Sequence, residues 1–280
     1  MIYREIPLQL PGSLPGAKLV LYMQDYSENM LVQERPCVIL CPGGGYHHVS
    51  EREGESEALQ FLSMGMHAAV LQYSVAPARY PVQLTELAWA MRCIKEHAAE
   101  WHVLPDKIIV QGSSAGGHLA ACLGMFWKEE WLRKAVSVAE LPEDVLRPAG
   151  LLLCYPVITS GEYAHRGSFE NLLGQESEKR DLLEKLSLEN QVSADTPPVF
   201  VWHTLTDGSV PAENSLLLVS ALRRHNISTE FHLYPEGHHG LALAGRLTAA
   251  ICRSAAPRGS DWQRNGWRES ATDRFVKIIR

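Results

Sequence analysis

Five short runs of this chain, at 37–41, 68–73, 108–110, 151–155 and 199–202, are apolar at nearly every consecutive position. A strand with one wet face alternates apolar and polar residues, whereas a run apolar throughout must be covered on both faces. A buried helix has the same pattern over so few residues, so the flanking turn residues carry the decision. Between the runs lie helical patterns. In 82–98, Leu84, Leu87, Ala88, Met91, Ile94 and Ala98 recur three or four apart and share one helix face. The stretch 211–225 opens with Pro211, allowed at a first helical position, and continues with Leu216, Leu217, Val219, Ala221 and Leu222. Residues 229–235 alternate and read as a further strand. Strands alternating with helices imply βαβ units with right-handed crossovers. The expected fold is therefore a three-layer α/β architecture, a mostly parallel central sheet with helices on both faces.

Two stretches fit this rhythm poorly. Residues 18–24 are strand-like but precede any helix, which suggests an antiparallel edge strand. Residues 156–196 are long and polar, with weak helical periodicity. They read as a cap-like excursion over the strand ends, a plain surface crossover being the alternative. No repeat or linker divides the chain, so 1–280 is expected to form a single domain, large enough for its own core. With 46% hydrophobic and 21% charged residues, disorder is excluded as a class. A net charge of -6 argues against a nucleic-acid partner, which requires clustered positive charge. The six cysteines form no CxxC pair and suit neither a disulfide scaffold nor thiolate zinc. No basic stretch followed by an apolar run opens the chain, and no run approaches a membrane span. The expectation is a soluble cytoplasmic protein with reduced thiols and no membrane partner, with homo-oligomerisation left open.

The strongest chemical signal is Gly112-Ser113-Ser114-Ala115-Gly116, between an apolar strand ending at Val110 and an apolar helical stretch from His118. Small residues two before and two after Ser114 permit the strained strand-to-helix turn of a nucleophile elbow. The helix N-terminus then directs free N–H groups at a developing oxyanion. A Gly/Ser-rich turn that binds phosphate, or nothing, is the competing reading. A second turn, Pro42-Gly43-Gly44-Gly45-Tyr46, follows the first apolar run. Three consecutive glycines cost backbone entropy that a single special turn position would not require. Backbone N–H groups of Gly43, Gly44 and Gly45, with that of Ala115, would form an oxyanion hole. A dinucleotide loop is disfavoured because His48 breaks GxGxxG.

A serine nucleophile needs a base and an orienting acid. Asp207 lies just beyond the run at 199–202, although Asp-Gly alone is common turn chemistry. His238 and His239 follow the last strand in a glycine-flanked loop and compete for the base, with His239 preferred. The chain order Ser114, Asp207, His239 is that of α/β-hydrolases.

Over roughly residues 35–245 the chain resembles α/β-hydrolase serine esterases close to bacterial acetyl-xylan esterases and related sugar-ester hydrolases. The resemblance rests on Pro42–Tyr46, Glu53-Gly54-Glu55, Tyr73-Ser74-Val75-Ala76-Pro77, Tyr80-Pro81, Gly112–His118, Thr196-Pro197-Pro198, Trp202-His203-Thr204 and Gly237–Leu241. It implies Ser114 as nucleophile, Asp207 as acid and His239 as base. The implied substrate is a small ester, with acetyl groups on sugars or oligosaccharides foremost, and no metal or organic cofactor. A general short-chain carboxylesterase is the nearer alternative. A catalytically silent binding protein is the alternative of a different class. Many relatives carry His where this chain has Pro42, so the contacts of that histidine are expected to be either absent or replaced, with Tyr46 the candidate for replacing them. Tyr46, His47 and His48 are candidate substrate contacts, and His118 is expected to pack. Residues 255–267 read as an irregular stretch before a final helix docked through Trp262, Trp267 and Phe275.

Overall fold

A computed structural model of the chain describes residues 1–29 and 31–243. Its strands are β1 (Ile2–Pro7), β2 (Lys18–Met23), β3 (Arg35–Cys41), β4 (His67–Gln72), β5 (Val103–Ser113), β6 (Gly150–Cys154), β7 (Val199–Thr204) and β8 (Thr229–Tyr234). They form one sheet in the order β1-β2-β4-β3-β5-β6-β7-β8. The five apolar runs fall in β3 to β7, and these strands are consecutive neighbours in the middle of the sheet. Pairings from β4 through β8 are parallel, while β1 with β2 and β2 with β4 are antiparallel.

The expectation of an edge strand at 18–24 needs correction. β2 is antiparallel but interior, because β1 pairs along its outer side from Ile2↔Met23 to Pro7↔Lys18. β1 carries exposed Tyr3, Arg4 and Glu5, and such charged side chains blunt an open edge.

Alternating residues of the central strands feed two cores. On one face Val38, Leu40 and Val70 pack with Ala58 and Phe61 of α1 (Glu55–Ser63). On the other, Ile39, Leu71, Val110, Leu151 and Val201 pack with α2 (Val82–Glu96), α3 (Ala115–Phe126) and further helices. Helix α4 (Glu130–Ala135) follows α3. The excursion 156–196 carries α5 (Arg166–Leu173) and α6 (Arg180–Lys185). Val157, Ile158, Phe169, Leu172, Leu186 and Leu188 anchor it in the core. Its apolar residues are divided among helices of eight and six residues, too short to display a clear 3.6-residue period. The last described helix, α7 (Glu213–Arg224), begins two residues after Pro211, whose carbonyl accepts the Asn214 N–H. The segment 255–267, with Trp262, Trp267 and Phe275, lies outside the described residues.

The parallel strands share one direction, so the loops leaving β3, β5, β6, β7 and β8 meet along one edge of the sheet. In open α/β sheets ligands bind at this carboxyl edge.

Candidate active site

At the end of β5 the backbone turns sharply into α3 through Ser114, at φ 55° and ψ −119°. A positive φ on a non-glycine residue is strained and persists only where the surroundings impose it. They do so here by close packing. A Cβ at Gly116 would lie 1.9 Å from the Cys41 carbonyl oxygen of β3, so only glycine fits between elbow and strand. The Ser114 N–H donates to the Cys154 carbonyl at 2.9 Å, and its own carbonyl accepts N–H groups from His118 and Val157.

The loop after β8 brings His239 to this serine, with Nε2 at 2.7 Å from Ser114 Oγ. The other ring nitrogen, Nδ1, lies 2.6 Å from Asp207 Oδ2. A carboxylate only accepts, so the imidazole proton sits on Nδ1 and leaves the Nε2 lone pair to receive the Ser114 hydroxyl. His238 instead turns its ring to the His239 carbonyl, at 2.7 Å. The loop is tied to the end of β7 and the segment beyond it, since Thr204 and Thr206 hydroxyls both donate to the Gly237 carbonyl.

Asp207 is fully enclosed at its side chain. Its Oδ1 accepts the N–H groups of Ser209 and Val210, each at 2.9 Å. His203 Nε2 stands 3.3 Å from Oδ2 and 3.0 Å from the Val210 carbonyl. Burial alone would push the Asp207 carboxyl up. Hydrogen bonds from His203 and His239, the nearby His239 charge and the Val210 N–H outweigh it, holding the group well below the usual carboxylate range.

The glycine loop crosses directly over the elbow: a Cβ at Gly43 would stand 3.0 Å from Ser114 Cβ. Its carbonyls are tied down one after another. Pro42 O accepts the Tyr73 hydroxyl at 2.7 Å, and Gly43 O accepts Ser50 N–H at 2.9 Å. Gly44 O accepts N–H groups from His47 and His48, and Gly45 O accepts the Asn171 side-chain amide from α5. Gly44 has φ 125°, and a Cβ there would fall 2.0 Å from the His48 carbonyl oxygen, so no other residue fits.

Two expected roles change. The Gly43 N–H already donates to Glu53 Oε2 at 2.7 Å and is not available to an oxyanion. Among the described residues of this loop and the elbow, the N–H groups of Gly44, Gly45 and Ala115 have no hydrogen-bond acceptor. Tyr46 does not line the site. It is 1% exposed, with its hydroxyl donating to His118 Nδ1 at 2.9 Å. His118 in turn donates from Nε2 to the Leu186 carbonyl, which confirms it as a packed residue of the core. His47 and His48 stand exposed beside the loop, and what the turn uses is their backbone N–H groups.

Several residues that serve the site are not legible as such in the sequence. Glu53 and His203 carry no role by spacing, and Tyr155 reads as the end of a core strand. His165 and Ser168 of the excursion flank Gly45, 3.9 and 3.8 Å from where a Cβ on that glycine would lie. Their place depends on a loop whose path no local pattern sets.

A family model described as BD-FAE matches residues 23–222, which include Ser114 and Asp207 and stop short of His239. The chain is 35% identical over 215 residues to endo-1,4-beta-xylanase B of Butyrivibrio fibrisolvens, covering 75% of this chain and 33% of that protein. It is 27% identical over 211 residues to an acetylxylan esterase of Xylanibacter ruminicola, covering 74% and 41%. The chain thus spans well under half the length of these two relatives. Among solved structures, an acetyl ester-xyloside bifunctional hydrolase of Caldicellulosiruptor lactoaceticus superposes with TM-score 0.74 at 36% identity, over 94% of this chain and 93% of that one. A carboxylesterase of Lactobacillus plantarum superposes with TM-score 0.75 at 27% identity, over 99% and 95%. With its sheet order, its elbow and this family match in hand, the chain is an α/β-hydrolase and belongs to the BD-FAE family.

Proposed function

We propose that this protein is a serine esterase that hydrolyses short-chain acyl esters of sugars, with acetylated xylose-based oligosaccharides as the preferred class. The observation that carries this reading is the continuous contact from Asp207 through His239 to Ser114, at 2.6 and 2.7 Å, beneath a loop with untied N–H donors. His239 Nε2 takes the hydroxyl proton as Ser114 Oγ attacks the ester carbonyl. Asp207 holds the imidazole tautomer and stabilises the imidazolium. The N–H groups of Gly44, Gly45 and Ala115 receive the oxyanion, where loss of one such donor typically costs about 10²–10³ in rate. His239 gives the proton to the sugar oxygen as its bond to the acyl carbon breaks, releasing the free sugar hydroxyl, and water then hydrolyses the acyl-serine by the same route. The sugar-ester class is supported by the names of the xylan-degrading relatives and of the acetyl ester-xyloside hydrolase. Likeness to the Lactobacillus plantarum carboxylesterase favours a second reading, a general short-chain carboxylesterase with the same residues in the same roles.

Replacing Ser114 by Ala should abolish acetate release from acetylated xylo-oligosaccharides and from p-nitrophenyl acetate, with the melting transition kept. Undiminished turnover in that variant would overturn the nucleophile. A preference for longer p-nitrophenyl esters over acetylated sugars would select the second reading. Failure of the wild-type chain to take a fluorophosphonate label would instead indicate a silent binding protein.

A further inference from the structure

Glu53 is a buried carboxylate, 3% exposed, in a short 3-10 turn (Glu51–Glu53) between the glycine loop and α1. Both its oxygens are used. Oε2 accepts the Gly43 N–H at 2.7 Å, and Oε1 accepts the Tyr155 hydroxyl at 2.7 Å. The Tyr155 oxygen accepts in turn the N–H of Ala242, at 2.9 Å, three residues beyond His239. The ring of Tyr155 stands edge-on to the His239 imidazole, centroids 5.1 Å apart, and to Trp202 at 4.9 Å. Its backbone adjoins Cys154, whose carbonyl holds the Ser114 N–H. Tyr155 has φ 38°, a conformation that a non-glycine residue adopts only under constraint. One carboxylate and one phenol therefore touch the glycine loop, the nucleophile's anchor and the base's loop.

We propose that Glu53 and Tyr155 are positioning residues, a buried carboxylate–phenol pair that fixes the glycine loop and the His239 loop relative to Ser114. This rests on the esterase reading above. The Pro42–Gly43 peptide is the hinge of the effect. Tyr73 holds its carbonyl and Glu53 holds its N–H, so the plane of that peptide is set from both ends. The direction of the next two N–H groups, of Gly44 and Gly45, follows from that plane. A carboxylate suits the place because it accepts two hydrogen bonds from two donors and has no proton of its own to satisfy. Glutamine has one accepting oxygen where Gly43 and Tyr155 both donate: if that oxygen keeps the Gly43 N–H, the amide can only donate to the phenol oxygen and the Tyr155 proton loses its acceptor, and if it keeps Tyr155, the Gly43 N–H loses its own. A hydrogen-bonded unit of this kind acts at the transition state, where a misdirected donor is felt, and little in the ground state.

The test uses the full chain and p-nitrophenyl acetate. Glu53→Gln is expected to lower kcat about tenfold to a hundredfold with KM within about twofold, because the donors are misaimed rather than removed. Affinity for a phenylboronic acid, whose tetrahedral serine adduct places an oxygen at the oxyanion position, should fall in parallel. Tyr155→Phe should give a smaller loss of the same kind. The double variant should be no worse than Glu53→Gln by more than about twofold, since both substitutions break one unit. A folded Glu53→Gln with unchanged kcat would overturn the proposal, as would losses that multiply in the double variant. If Glu53→Gln does not fold, Tyr155→Phe decides by the same split between kcat and KM. The esterase reading fails separately, by activity that survives Ser114→Ala.

Discussion

The site is built from two glycine-rich turns on neighbouring strands, and they are held in opposite ways. The elbow after β5 is held by backbone packed on backbone: Gly116 lies against β3, Gly112 against Gly116, and α3 starts immediately. The loop after β3 is held by side chains arriving from elsewhere, Glu53, Tyr73 and Asn171, with Tyr46 tied to His118 at its far end. The elbow therefore tolerates no added atom. The loop is as tight at Gly43 and Gly44, has room for an added atom at Gly45, and depends on remote partners for its hydrogen bonds. Rigid close packing presents Ser114, and hydrogen bonds from remote side chains hold the glycine loop.

The sharpest way to break that contrast is to add one methyl group to each turn. In Gly116→Ala the new Cβ would fall 1.9 Å from a strand carbonyl that cannot move without opening the sheet. The expected cost is more than about 4 kcal/mol, or no folded protein. In Gly45→Ala the nearest atoms would be 3.8 Å away, and only the positive φ of 63° is penalised, by about 1–2 kcal/mol. Urea unfolding of the two variants reads both values. Equal costs would mean that the loop is as closely packed at Gly45 as the elbow is at Gly116.

The same contrast decides what the sequence disclosed. The elbow is local, so Gly112, Ser114 and Gly116 announce it within five residues, and the apolar runs place it at a strand end. Asp207 and His239 are legible because each follows a recognisable strand. Chain order then supplies the pairing that distance in sequence hides. The engagement of the Gly43 N–H is not legible, because its partner, Glu53, lies in an irregular segment with no periodicity. The burial of Tyr46 is not legible either, because a tyrosine beside a glycine turn has no pattern that distinguishes a buried hydroxyl from an exposed one. β1 has no apolar run to mark it, for a related reason: exposed, charged residues are what an edge strand requires.

Acid should test the loop's far anchor. Burial holds the His118 imidazole down at about 4, against an ordinary value near 6.5 in an unfolded chain. Between those values the unfolded chain binds a proton that the folded one refuses, so stability falls as pH drops from about 6.5 to about 4. The full loss from this group is roughly 3 kcal/mol. His67 and His165 are also lowered by burial and add to the slope, so the informative quantity is a difference between proteins. Asp207 acts in the same direction but at lower pH: its depressed carboxyl contributes stability above its unfolded value, and that contribution is lost only below about pH 4. In His118→Gln, unfolding free energies at pH 7, 5.5 and 4.5 should fall less steeply than in the wild type, from a lower starting value. Parallel pH curves for the two proteins would show that His118 is not the group that titrates.

The smallest effect should come from the other end of the Pro42–Gly43 peptide. Tyr73→Phe removes the hydroxyl that holds the Pro42 carbonyl and leaves a buried acceptor unpaired. Some stability should be lost, about 1–3 kcal/mol. The peptide would still be held by Glu53 at its N–H, so the Gly44 and Gly45 donors should remain near their directions. A fall in kcat of roughly threefold to tenfold is expected, with KM unchanged, less than for Glu53→Gln. Steady-state hydrolysis of p-nitrophenyl acetate by both variants gives the ranking. If Tyr73→Phe proved as harmful as Glu53→Gln, the peptide would be aimed equally from its two ends. If it were the worse of the two, the carboxylate would be a structural anchor, and the aim of the donors would be set from β4 rather than from the turn before α1.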